Sequence, residues 1–210
     1  MPSTPPPDFV PDPLSDPLPD LGGRDRPPLR LMVLRHAPAI TGGRVAGRRD
    51  VAADCSDIAA LDALRVRLDR LCEAGADVLV SPARRCRQTA RALALADRAC
   101  VHPALVEQDH GMYEGVRHDL VPDLGPLPVA ALARHRPQGG ESFLDMCARV
   151  QPILQALRRD TLIVAHAGTV RAALALVVGD AALSFAVAPL SLTILGRGAG
   201  IWAVQSVNLV

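Results

Sequence analysis

A chain of 210 residues that is 49% hydrophobic but only 2% aromatic is long enough for one domain with a sizeable core, yet offers few ring faces on which nucleic-acid bases could stack. A formal net charge of +1 leaves no electrostatic footprint for nucleic acid or an anionic membrane. All 23 basic residues are arginine, which excludes a catalytic lysine.

Residues 1–28, MPSTPPPDFVPDPLSDPLPDLGGRDRPP, repeat proline and aspartate with few apolar side chains, a composition that predicts a disordered extension. The stretch lacks the basic start and apolar core of a secretory signal. From residue 29 the pattern changes. LRLMVLRH (29–36) is a short continuous apolar run, as expected of a strand buried on both faces of a parallel sheet. Residues 37–55, rich in Gly, Arg and Asp, read as a loop. SDIAALDALRVRLDRLCEAG (56–75) predicts a helix with Ser56 as N-cap and Gly75 as its stop. DVLVS (77–81) is a second buried strand, and PARRCRQTARALALA (82–96) a helix with Pro82 in its first turn. A short strand near 100–103 leads into the loop VEQDHGMYEG (106–115). Residues 116–140, rich in Pro and Gly with one short helix over about 128–135, read as a small lid insertion. ESFLDMCARVQPILQALRR (141–159) predicts a helix that Pro152 should kink. DTLIVAH (160–166) is another buried strand, followed by a helix over AGTVRAALALVVG (167–179). SLTILGR (191–197) and IWAVQSV (201–207) close the chain as a strand pair.

Strands alternating with helices predict an α/β fold over residues 29–210: a three-layer, mostly parallel sheet with helices on both faces. The five cysteines (55, 72, 86, 100 and 147) form no C-x-x-C pair and read as reduced thiols of a cytoplasmic protein, not a disulfide frame or zinc site. No apolar run approaches the ~18 residues of a membrane span. In sheets of this type ligands sit beyond the carboxyl ends of the strands. The first strand ends on Arg35-His36, the second leads to Arg84-Arg85, and the late one ends on His166. Three strands thus deliver cationic or imidazole groups to one edge.

Two histidines with arginines and no carboxylate cluster make a poor divalent-metal site, because guanidinium does not ligate metals and its field repels them. The same set makes a good oxyanion site, since guanidinium forks match phosphate oxygens. A neutral imidazole among them can attack phosphorus to give a phosphohistidine. The helix opening at Ala167-Gly168 would aim its N-terminal amides into the same space.

LRHAPA (34–39), SPARRCRQTA (81–90), VEQDHGMYEG, PQGGES (137–142) and VAHAGTVR (164–171) occur in this order. Together they resemble the histidine phosphatase superfamily, also called the phosphoglycerate mutase-like family, over about residues 29–210. The resemblance implies that His36 accepts the phosphoryl group, that Arg35 and Arg85 hold its oxygens, and that His166 is the second histidine of the phosphate pocket. It further implies that Glu107 protonates the leaving alkoxide and then activates the water that hydrolyses the phosphohistidine. The implied enzyme is a phosphoric monoester hydrolase with no metal and no organic cofactor, whose partner is a small-molecule phosphomonoester. Only 59 positions separate Glu107 from His166, a compactness that most resembles the α-ribazole phosphatases of cobalamin synthesis and their broad-specificity relatives. α-Ribazole 5′-phosphate is therefore the expected substrate. A broad-specificity phosphatase, a phosphatase of phosphohistidine proteins, a phosphoglycerate mutase-type phosphotransferase and a catalytically silent binder of phospho-ligands are the alternatives.

Other polar residues carry plainer expectations. Arg84 reads as a solvated residue at a helix start. Asp109 and Glu114 rival Glu107 as the acid, and Glu114 suits a structural role in its loop. His102, His110, His118 and His135 read as surface or loop residues. Two departures from the family pattern stand out: Ala37 replaces the Gly of Arg-His-Gly, and Gly42 stands where the family has Asn. The lost Asn contact would have to come from Thr41 or from backbone amides.

Overall fold

Leu31, Met32, Val33 and Leu34 are wholly buried, and they alternate between two cores. Leu31 and Val33 pack into one, Met32 and Leu34 into the other, which requires a strand covered on both faces. The computed structural model describes residues 29–72 and 75–210; the N-terminal extension expected over 1–28 lies outside the described residues. The strands are β1 (Leu29–Arg35), β2 (Asp77–Val80), β3 (Ala99–Val101), β4 (Thr161–Ala165), β5 (Leu192–Gly198) and β6 (Ile201–Leu209). The helices are α1 (Ile58–Leu71), α2 (Arg84–Ala92), α3 (Val129–Arg134), α4 (Phe143–Ala156) and α5 (Ala167–Val178).

The sheet order is β3-β2-β4-β1-β5-β6. β1, β2, β3 and β4 are parallel neighbours, while β5 runs antiparallel to both β1 and β6. α1 and α2 cover one face through Leu61, Leu64, Leu68, Cys86 and Ala90, and α4 and α5 cover the other through Met146, Val150, Val170 and Leu174. The fold is thus the expected three-layer α/β architecture with a mostly parallel sheet. Because β1, β2 and β4 are parallel, their carboxyl ends share one edge, and Arg35-His36, Ser81 and His166 emerge there together.

Element ends differ from the sequence expectation for local reasons. Asp57, not Ser56, caps α1: its side chain accepts from the Ala60 N–H. α1 ends at Leu71 with Cys72 as its C-cap, short of the expected stop at Gly75, which has φ +77 and donates its N–H to Cys72 O beyond the helix end. α2 stops at Ala92, short of the predicted 96, because Ala94 turns to φ +57 and lets Leu93 and Leu95 fold back into the core. Its own sequence supplies no cap; Asp50, from the loop after β1, accepts from the Arg84 N–H at 2.6 Å instead. α4 runs on as one helix through Pro152, opened by a capping box between Ser142 and Asp145. The segment 116–140 holds a 3-10 turn (His118–Leu120) and α3, whose Ala133 is buried.

The membrane-span expectation needs correction. Ala167–Ser184, α5 plus the 3-10 turn after it, is 18 residues long with mean hydropathy 1.4, enough by length and composition to cross a membrane. Val170, Ala172, Ala173 and Leu174 are fully buried in the core formed with α4 and the sheet, and 33% of the stretch as a whole is buried.

Candidate active site

His36 follows β1 and is only 4% exposed, with its N–H bonded to Ala165 O of the neighbouring β4. Its Nδ1 lies 2.6 Å from Ala37 O. A carbonyl can only accept, so Nδ1 carries the hydrogen and Nε2 keeps its lone pair. The guanidinium of Arg85, which can only donate, confirms that tautomer from the other side: Arg85 Nε lies 3.2 Å from His36 Nε2. Ala37 is fully buried and donates its N–H to Thr89 Oγ1 at 2.9 Å, so the extra methyl is accommodated where the family has glycine.

Arg85 is 1% exposed, unlike its exposed neighbour Arg84. Nη1 donates to Arg49 O at 2.9 Å and Nη2 to Gly47 O at 2.8 Å. Among the described residues no carboxylate lies within 4.0 Å of the guanidinium of Arg85 or Arg35. Arg35 donates to Val187 O through Nη1, and its buried Nε has no partner among the described residues. A buried guanidinium without a counter-ion is costly, and a bound oxyanion supplies the missing charge and acceptors. Thr41, in the loop where the family has its Asn, donates its N–H to Ala39 O.

His166 ends β4 with no exposure, its ring centroid 5.2 Å from that of His36 and nearly edge-on to it. Ser81 Oγ lies 2.8 Å from His166 Nε2. Cys86 Sγ lies 3.5 Å from the same nitrogen, and burial pushes that thiol up to about 12, so it stays protonated. Glu107 is half-buried at the N-terminus of α5. Its Oε1 accepts from Gln108 N at 2.9 Å and its Oε2 from Gly168 N at 3.3 Å. The α5 amides expected to face a ligand are therefore engaged in part by Glu107. A Cβ on Gly168 would sit 2.2 Å from Glu107 Oε1 and 2.6 Å from Met146 Sδ, so only glycine allows this approach.

Supports around this set were not anticipated from sequence. Arg149 on α4 donates to Ala104 O and Val106 O, reaches Glu107 O at 3.4 Å, and forms a two-point ion pair with Glu141. Arg149 thereby anchors the backbone that carries Glu107. The rivals of Glu107 are otherwise occupied: Asp109 accepts from Gly111 N, and Glu114 accepts from three backbone N–H groups. Of the remaining histidines, His118 is exposed and His102, His110 and His135 are half-buried.

Residues 31–210 match the family described as the histidine phosphatase superfamily, branch 1. The chain belongs to this superfamily. Membership makes it an enzyme of the phosphatase and phosphotransferase class. No curated protein sequence matches it. Among solved structures, a mycobacterial glucosyl-3-phosphoglycerate phosphatase is 23% identical with a TM-score of 0.70, covering 86% of this chain and 99% of that one. The Thermus thermophilus protein TTHB049 is 23% identical, with a TM-score of 0.70 and coverage of 87% and 100%. A structure described as mycobacterial hydrolase 1 is 25% identical, with a TM-score of 0.68 and coverage of 86% and 98%. These likenesses establish the fold.

The electrostatics of this site carry a testable consequence. Burial, with the charges of Arg85 and Arg35 and against the bond to Ala37, pushes the His36 imidazole down to about 4. Burial first, then Arg85, His36 and Arg35, holds His166 well below its ordinary range. The unfolded chain binds these protons near pH 6.5. Between there and about 4 it holds more protons than the native state, so stability should fall as pH is lowered through that window. The slope should approach ~1.4 kcal/mol per pH unit for each histidine. Denaturation midpoints in phosphate-free buffer should show it, with His36→Gln flattening the slope by about one proton. Identical slopes in both proteins would mean that His36 already binds its proton in the folded state.

Proposed function

We propose that this protein is a phosphomonoesterase working through a phosphohistidine on His36, with a small phosphorylated metabolite as substrate. The observation that carries this reading is the His36–Arg85 pair: a neutral imidazole whose Nε2 lone pair faces a buried guanidinium with no carboxylate within 4.0 Å among the described residues. In the proposed sequence, the phosphate oxygens take the donors of Arg35 and Arg85. Arg85 Nε–H must pass from His36 Nε2 to a phosphoryl oxygen, which frees the lone pair as the electrophile arrives. Nε2 attacks phosphorus, a P–N bond forms, and the P–O bond to the leaving group breaks. Glu107 gives its proton to the departing alkoxide. The carboxylate then takes a proton from water, whose oxygen attacks phosphorus; the P–N bond breaks and orthophosphate leaves. His166, neutral and edge-on to His36, lines the transferring group, and the segment 116–140 serves as a small lid. No metal or organic cofactor takes part.

The short span between Glu107 and His166 supports α-ribazole 5′-phosphate as the named substrate, and the five free thiols support a cytoplasmic setting. Phosphate release should be measured with EDTA present, from α-ribazole 5′-phosphate beside glucosyl-3-phosphoglycerate, sugar phosphates, nucleotides, glycerate phosphates and a phosphohistidine protein. A marked preference for α-ribazole 5′-phosphate is expected. Preference for another compound replaces the substrate, movement of phosphate within glycerate phosphates without release makes the enzyme a mutase, and no reaction with any compound defeats the hydrolase.

A further inference from the structure

We propose that Glu114 is a positioning residue for Arg85, acting through the loop at residues 47–49; this rests on the phosphate-binding role proposed for Arg85. Glu114 closes the 3-10 turn Gly111–Tyr113, far in sequence from both the loop and the guanidinium. Its Oε1 accepts from Arg48 N at 2.8 Å and His110 N at 3.2 Å, and its Oε2 from Arg49 N at 3.2 Å. The carboxylate thus fixes two consecutive peptide N–H groups of the loop. The carbonyls of the same stretch, Gly47 O and Arg49 O, point the other way and accept from both Nη atoms of Arg85. With both Nη atoms held, the remaining bond of the guanidinium is Nε to His36 Nε2.

Sterics make the relay tight. A Cβ on Gly47 would meet Gln108 O at 2.0 Å, Glu114 Oε1 at 2.6 Å and the His110 ring at 2.8 Å. The loop therefore lies directly on the Glu114 segment with no side chain between them. Asp50, at the end of the loop, bonds to Arg84 N and ties it to the start of α2, from which Arg85 projects. The guanidinium plane is set by two carbonyls, and the carbonyls by one carboxylate. Three donors on two oxygens need an acceptor at both, which only a carboxylate provides. Glutamine would turn an NH₂ toward one of the backbone N–H groups and lose at least one bond.

The test is a double-mutant cycle on orthophosphate binding, read by calorimetry, with Glu114→Gln and Arg85→Lys singly and together. Glu114→Gln should weaken phosphate binding about 10-fold, the equivalent of one hydrogen bond. In the Arg85→Lys background, where no planar fork remains to orient, the same change should alter affinity by less than about two-fold. Imidazole ¹⁵N shifts give a second readout: the His36 Nε2 signal should move toward that of an unbonded nitrogen in Glu114→Gln. Equal losses in both backgrounds, or an unmoved His36 signal, would overturn the proposal and leave Glu114 as a loop brace alone. The outcome is separable from the hydrolase reading. Wild-type protein that binds phosphate yet hydrolyses no ester would defeat that reading while the cycle still reports on Glu114.

Discussion

His36→Ala should lower phosphate release by about 10⁴-fold or more while the protein still folds. The imidazole is the nucleophile in the proposed sequence, and no neighbour can stand in for it. His166 Nε2 is engaged by Ser81, and burial holds the Cys86 thiol protonated. Folding should survive because the ring sits at the sheet edge rather than in either apolar core, although Ala37 O and Arg85 Nε each lose a partner. A drop of about 1–3 kcal/mol in stability is expected from those orphaned groups. Rapid acid-free quenching of wild-type enzyme turning over ³²P-labelled ester should trap protein-bound phosphate that survives alkali and is lost in acid, as a phosphoramidate must be. The alanine variant should carry none. Turnover above about 1% of wild type would show that phosphate leaves without passing through His36.

The geometry also shows what a sequence can and cannot display. The apolar runs at β1, β2 and β4 declare themselves because both sheet faces are covered, and their parallel arrangement follows from the helices between them. Once these strands are parallel, Arg35, His36 and His166 must share an edge, so the centre of the candidate site was legible. The supports were not. Gly47 looks like one more glycine in a Gly/Arg-rich loop; its necessity arises from Gln108 and Glu114, some sixty residues away. Arg149 looks like a solvated helix charge, and its role appears only when α4 lies against the 104–107 backbone. Helix ends depend on equally local contests. Ser56 and Asp57 are adjacent cap residues, and the backbone conformation decides between them. α2 borrows its cap from Asp50, a residue no reading of α2 itself would include. The apolar α5 shows the converse limit, since composition alone does not separate a core helix from a spanning one.

Glu107→Gln should divide substrates by leaving group. For alkyl phosphates the departing oxygen needs a proton as the P–O bond breaks, and kcat/KM should fall about 10²–10⁴-fold. Nitrophenolate leaves without that help, so kcat/KM for 4-nitrophenyl phosphate, which reports steps up to phosphorylation, should fall less than about 10-fold. The second half of the cycle behaves differently. Water attacking the phosphohistidine still needs the carboxylate as base, whatever group left before. Glu107→Gln with 4-nitrophenyl phosphate should therefore give a burst of one nitrophenolate per site followed by slow turnover, with phosphoenzyme accumulating on His36. The amide keeps an oxygen for the Gly168 or Gln108 N–H that Glu107 now accepts, so the α5 terminus should hold its place. Asp109→Asn serves as the control, because its carboxylate already accepts from Gly111 N and faces Arg48 at 3.9 Å. Equal losses on both ester types, with no burst, would remove Glu107 from proton transfer and make it a residue that merely closes the start of α5.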